Sequence, residues 1–146
     1  GPLLVVPGSH KGTIYDHHQD GYFAGAVTDD EGAEAFKQAV PLTGKAGDIT
    51  IHHARTLHGS ASNLSNRYRR LLFITARAGD AWPICEKIDF EKFNKELLAG
   101  EPTVEPRMTN VPVRLPLPRL TQPGESIFVK QKGLRNSPFE RVKMNA

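Results

Sequence analysis

Six histidines, His10, His17, His18, His52, His53 and His58, all fall within the first 60 of 146 residues. Histidine is the commonest metal ligand and the usual proton carrier near neutral pH, so this part of the chain holds the residues best able to do chemistry. His58 stands out among them. It is followed by Gly59 and Ser60, then by Asn63 and the cluster Arg67, Arg69 and Arg70. The run Thr56-Leu57-His58-Gly59-Ser60 reads as a short strand, in which positions i and i+2 share a face. His58 and Ser60 therefore point into the same space, and Gly59 between them permits close approach. A buried arginine from the following strand would complete a binding site for a carboxylate. Histidine, hydroxyl and arginine at this spacing point to a metal–carboxylate site.

The elements that must position these side chains follow from the apolar pattern. Leu3-Leu4-Val5-Val6 is a fully apolar run ended by Pro7-Gly8 and reads as a buried strand followed by a turn. Residues 9–27 are rich in His, Asp and Gly without a period and are expected to form a long loop. In that loop His17, His18 and Asp20 are expected to be more exposed than His58 and to lie near a cavity mouth. Asp29-Asp30-Glu31 should cap a short helix running through Gln38, with their carboxylates at the positive end of its dipole. Ala39-Val40-Pro41-Leu42 is a weak strand and Lys45-Ala46-Gly47-Asp48 a turn. Ile49-Thr50-Ile51-His52-His53 alternates, so at most one of His52 and His53 faces a cavity. Arg69 to Ala78 is apolar on both faces in its middle and is expected to be a central, buried strand. Ile88, Phe90, Phe93, Leu97 and Leu98 then switch to helical spacing, with Asp89 as N-cap and Gly100 as C-cap. Trp82 and Cys85 are expected to be packing residues, and Asn63 either bonds the turn backbone or faces the site.

Composition bounds the reading. The chain is long enough for one domain with a core, and no stretch approaches eighteen uninterrupted apolar residues, the length of a membrane-spanning helix. With 13 Gly and 11 Pro there is no room for a coiled coil. A single cysteine, Cys85, excludes a disulfide framework and a multi-cysteine metal site, and fits a reducing, cytoplasmic setting. Residues 101–146 carry a net +4, against −1 for residues 1–100, and hold seven of the eleven prolines. Residues 101–146 thus read as an extended basic tail following a domain over 1–100. The tail aromatics Phe128 and Phe139 lack RNA-binding spacing, so no nucleic-acid partner is expected. The chain opens directly into a strand at Gly1, and the natural N-terminus is expected to lie upstream.

Leu3-Leu4-Val5-Val6-Pro7-Gly8-Ser9-His10-Lys11-Gly12 resembles a segment of the phytanoyl-CoA dioxygenase family. Gly47-Asp48 ahead of a strand, His58-Gly59-Ser60, Asn63, and an arginine eleven residues beyond the histidine are similar to that family's second half. The resemblance runs from residue 3 to about residue 83 and finds nothing in residues 84–146. It implies a mainly β fold, part of a double-stranded β-helix of the jelly-roll or cupin-like kind. It also implies iron(II)- and 2-oxoglutarate-dependent hydroxylation of a small organic substrate with O2. His58 then corresponds to the distal histidine of a two-histidine, one-carboxylate iron triad. Arg69 corresponds to the arginine that grips 2-oxoglutarate, with Ser60 beside it, and His10 to a structural position in the family's turn. The family's His-x-Asp lies ahead of the Pro-Gly-Ser-His segment, so the resemblance places two of the three ligands before Gly1 and implies that this fragment alone is inactive. His18-Gln19-Asp20 has the same form, but it lies downstream, 38 residues before His58. His17, His18 and Asn63 are accordingly expected on the substrate side. Two rival readings are a non-catalytic cupin-like binding module and an adaptor working through the basic tail. No membrane partner is expected, and the oligomeric state is left open.

Overall fold

A computed structural model describes residues 1–85, 87–119, 131 and 134. They form two compact units. One holds Gly1–Arg69 with the described residues from Pro116 onward, and the other holds Arg70–Leu115. Phe128 and Phe139 lie outside the described residues, as does most of the expected tail beyond residue 119. Five short strands and two short α-helices make the described residues mainly β. No helix among them is long and apolar enough to cross a membrane.

In the first unit, the apolar strand β1 (Leu3–Val5) is the centre of a three-stranded antiparallel sheet. On one side it pairs with β4 (Val40–Leu42), whose Pro41 is tolerated because this is an edge strand. On the other side it pairs with β5 (His58–Ser60), in the register Val5 to His58 and Leu3 to Ser60. Val5 and Val6 are buried beneath this sheet. Gly8 takes a left-handed φ of 79° and turns the chain into a short 3-10 helix, Ser9–Lys11. The capped helix forms where the acidic run places it. Asp29 accepts a hydrogen bond from the Gly32 amide at 2.6 Å, α1 spans Asp30–Ala35, and a 3-10 turn carries the chain to Gln38. The turn at Lys45–Asp48 also forms. The Asp48 amide donates to the Lys45 carbonyl at 3.1 Å, and Gly47 supplies the positive φ of 98°.

Residues 9–27 are not the structureless loop their composition suggests. They contain a hairpin of β2 (His18–Gln19) and β3 (Tyr22–Phe23). Its two-residue turn is Asp20-Gly21, with φ of 52° and 85°. Positive φ at both central residues is the mark of a type I′ turn, whose twist matches that of paired strands. Residues 117–119 run beside β3, where the Phe23 amide donates to the Pro118 carbonyl at 2.8 Å.

Two expected strands do not form. Ile49–His53 is irregular and Ile51 is 95% exposed. Residues 69–78 are also irregular, and Leu72 is 87% exposed rather than central and buried. A strand exists only where its amides and carbonyls find a ladder partner, and no described segment pairs with either run. Alternation records that a segment suits a sheet. It does not supply the neighbour.

In the second unit, α2 (Phe90–Lys95) begins at its expected cap, with Asp89 accepting from the Lys92 amide at 3.1 Å. It ends at Glu96, before the expected Gly100 stop, and Leu98 is left exposed. Trp82 packs edge-on against Phe90, and the Arg77 guanidinium lies 4.2 Å above the ring of buried Phe93. Arg107 grips Asp80 through two parallel hydrogen bonds of 2.9 and 2.7 Å. That bonding, more than the charge of Arg107, holds the Asp80 carboxyl below the usual carboxylate range. Cys85 is an exposed free thiol, not the packing residue expected of it.

Candidate functional site

His58 and Ser60 flank Gly59 on β5 and share a face, as their spacing requires. Gly59 is needed for close packing on the opposite face. A Cβ there would stand 2.9 Å from the ring edge of Phe36. Sequence alternation thus places an aromatic ring under the glycine and leaves the histidine and hydroxyl on the other side.

The His58 ring is oriented by its own strand. Nδ1 lies 2.7 Å from the Thr56 carbonyl. A carbonyl can only accept, so Nδ1 carries the proton and Nε2 keeps its lone pair. This is the arrangement found behind metal-binding imidazoles, where the outer hydrogen bond fixes the tautomer. His58 is exposed rather than buried. The ring of His52 lies beside it, with centroids 5.3 Å apart. His53 turns instead to His10, at 5.7 Å.

Arg69 meets Ser60. Its Nη2 donates to the Ser60 hydroxyl oxygen at 3.2 Å, and its Nη1 donates to the Gly1 carbonyl at 2.7 Å. The guanidinium is exposed, not buried as the strand reading expected, because residues 69–78 do not join the sheet. Asn63 is occupied by its own loop. Its amide donates to the Arg67 carbonyl at 2.7 Å, and its oxygen accepts from the Ser65 hydroxyl at 2.7 Å.

The hairpin histidine behaves opposite to expectation. The side chain of His18 is only 4% exposed. Its Nδ1 lies 2.6 Å from Asp16 Oδ1, its Nε2 lies 3.1 Å from the Leu117 carbonyl, and its ring meets Phe23 edge-on. Both nitrogens are therefore engaged within the protein, and Asp20 serves in the turn. His17 is half-buried, with Nδ1 2.9 Å from the Tyr15 carbonyl. Among the described residues no group of three or more His, Cys, Asp or Glu side chains converges to hold a metal ion.

Two features escape a reading by residue type. One is the Thr56 carbonyl that sets the His58 tautomer, which has no sequence signal. The other is the hairpin, whose signal, Asp-Gly between strand-forming residues, stands in the sequence.

A ring nitrogen held open beside an arginine–hydroxyl pair is the chemistry of a site for a metal ion and a carboxylate. Residues 1–71 match the phytanoyl-CoA dioxygenase (PhyH) family. It is 39% identical over 138 residues to a protein of Stutzerimonas stutzeri named as a probable alpha-ketoglutarate-dependent hypophosphite dioxygenase. That alignment takes in 92% of this chain and 48% of the relative. It therefore reaches well past residue 84, so the similarity extends further along the chain than the motifs alone suggest. A probable phytanoyl-CoA dioxygenase of Caenorhabditis elegans is 27% identical over 104 residues, covering 69% of this chain and 32% of its own length. The peroxisomal phytanoyl-CoA dioxygenase of Homo sapiens is also 27% identical over 104 residues, with 69% and 30% covered. The chain thus spans about half the length of the first relative and about a third of the other two. No solved structure gives a significant match.

Proposed function

We propose that this chain forms part of an iron(II)- and 2-oxoglutarate-dependent dioxygenase that hydroxylates a small substrate. The observation that carries the reading is the meeting of Arg69 with Ser60, two residues from His58 on the same strand. The residues fit the groups they would hold. His58 offers one imidazole nitrogen with its tautomer fixed by Thr56. Arg69 and Ser60 offer a planar fork and a hydroxyl to the far carboxylate of 2-oxoglutarate. When bound, iron(II) would supply the redox centre at which O2 and 2-oxoglutarate are consumed. Residues 1–100 would belong to a double-stranded β-helix domain, with 101–146 as a tail. The remaining ligands of the triad are assigned to a His-x-Asp outside this chain, because both nitrogens of His18 are already engaged.

The test is succinate formation in a polypeptide of the relatives' full length that carries this chain. With iron(II), 2-oxoglutarate and O2 supplied, His58→Ala should abolish turnover while far-UV dichroism stays the same. Unchanged turnover in His58→Ala would overturn the assignment of His58, and no turnover in the unsubstituted polypeptide would favour a non-catalytic binding module.

A second reading narrows the substrate. The relative named for hypophosphite aligns over 92% of this chain, whereas those named for phytanoyl-CoA align over 69% at lower identity. This favours a small phosphorus oxyanion over an acyl-CoA. Comparing hypophosphite with phytanoyl-CoA as the substrate that stimulates succinate release decides between them.

A further inference from the structure

Two histidine pairs lie close together in the first unit, and their hydrogen bonds set them apart. In the pair His10–His53 the ring centroids are 5.7 Å apart. The Arg55 amide donates to His53 Nδ1 at 3.1 Å, so that lone pair is in use and the proton of the neutral ring sits on Nε2. His53 thus has no lone pair to offer. In the pair His52–His58 the centroids are 5.3 Å apart, with the ring planes at 54°. His58 Nε2 is the nitrogen with the open lone pair, since Nδ1 donates to the Thr56 carbonyl. His52 makes no hydrogen bond among the described residues, so either of its nitrogens is available.

The spacing of the second pair suits one ion. Imidazole nitrogens sit about 2.1 Å from a tetrahedral zinc, which places two ring centres roughly 5 Å apart. From this we infer that His52 and His58 together bind a single divalent transition ion. His52 serves as a second imidazole ligand that the family's triad does not require. Imidazole pairs suit zinc, copper and nickel, and the His58 tautomer is already the one that binding needs, so no internal hydrogen bond is broken. The inference shares His58 with the proposed function but uses neither 2-oxoglutarate nor turnover.

The experiment titrates this chain with zinc(II) alone at pH 7.5. Heat release gives the affinity, and the imidazole C–H resonances identify the rings that shift. The expected result is one ion per chain. His52→Phe and His58→Phe, which keep a ring in place, should each weaken binding at least tenfold. His53→Phe, the control from the other pair, should leave affinity unchanged. Unaltered affinity in His52→Phe, or an equal loss in His53→Phe, would overturn the inference. Because nothing here reads succinate, failure of the dioxygenase reading would leave this result standing, and failure of zinc binding through His52 would leave the dioxygenase reading standing.

Discussion

The hydroxyl of Ser9 stands 2.8 Å from the backbone nitrogen of Leu57 and accepts its hydrogen bond, while donating to the Val6 carbonyl at 2.7 Å. The ladder between β1 and β5 reaches Val6, whose amide donates to the Leu57 carbonyl at 2.9 Å. Pro7 follows and has no amide to continue it. After the turn at Gly8, the Ser9 side chain returns to take the Leu57 amide. The Pro-Gly-Ser segment therefore fixes the entry of the strand that carries His58. The turn is a clamp on the start of β5.

Removing that clamp leaves a part-buried amide unpaired, at a cost of about 1–3 kcal/mol. Ser9→Ala should lower the urea midpoint accordingly, and Ser9→Thr, which keeps the hydroxyl, should restore most of it. An unchanged midpoint in Ser9→Ala would show that water replaces the hydroxyl freely.

The hairpin gives a separate prediction. Gly21 has a φ of 85°, where side chains with a Cβ are strained, and Asp20 has a φ of 52°, where Asp and Asn are tolerated. Gly21→Val should destabilise the first unit by roughly 1–2 kcal/mol. Asp20→Asn should leave metal affinity unchanged, because it keeps the turn while removing the carboxylate charge. A loss of metal binding in Asp20→Asn would restore His18 and Asp20 as a ligand pair.

The contrast between these elements explains what could be read in advance. Features written into neighbouring residues are legible: the Asp29 and Asp89 caps, the Gly47 turn, and the shared face of His58 and Ser60. The choice of Arg69 among the arginines that follow comes from the family resemblance and not from the local pattern. Features that depend on distant partners are not legible. Ile51 and Leu72 sit in segments suited to strands, yet no described segment pairs with them. His18 looked like a loop residue because nothing near it in sequence announces the Leu117 carbonyl, 99 positions away, that helps to bury it. Burial of a polar ring is decided by who arrives to satisfy it.

In the second unit, Asp80 and Arg107 give a pH prediction. The folded Asp80 carboxyl titrates below its ordinary value, chiefly through the Arg107 hydrogen bonds. A depressed carboxylate contributes stability above its unfolded pKa and loses it as pH falls through the lowered folded value. Arg107→Gln should therefore lower the thermal midpoint of this unit at pH 7. The gap from the unsubstituted chain should close as pH falls below the usual carboxylate range. The pair is exposed, so the gap should also shrink in salt. A gap independent of pH would mean that Arg107 acts by packing alone.

The last prediction concerns Arg69, where fold and chemistry meet. Its guanidinium already holds two acceptors, the Ser60 hydroxyl and the Gly1 carbonyl, through different nitrogens. A planar fork can keep such contacts while presenting a parallel pair of N–H groups to a carboxylate, whereas the lysine ammonium is a point charge with no fixed plane. Lysine preserves the charge and loses the geometry, so the substitution separates the two contributions. Arg69→Lys in the polypeptide of full length should raise the 2-oxoglutarate concentration needed for half-maximal succinate formation at least tenfold, which corresponds to about 1.4 kcal/mol or more. Ser60→Ala should produce a smaller shift in the same direction, since it removes a neutral hydrogen bond worth about 1 kcal/mol. Arg70 makes neither of the contacts that hold Arg69 at β5, so Arg70→Lys should leave the requirement as it is. A larger effect at Arg70 than at Arg69 would overturn the assignment of Arg69. The carboxylate would then be held by Arg70, and the pairing of Ser60 with Arg69 would be a surface contact only.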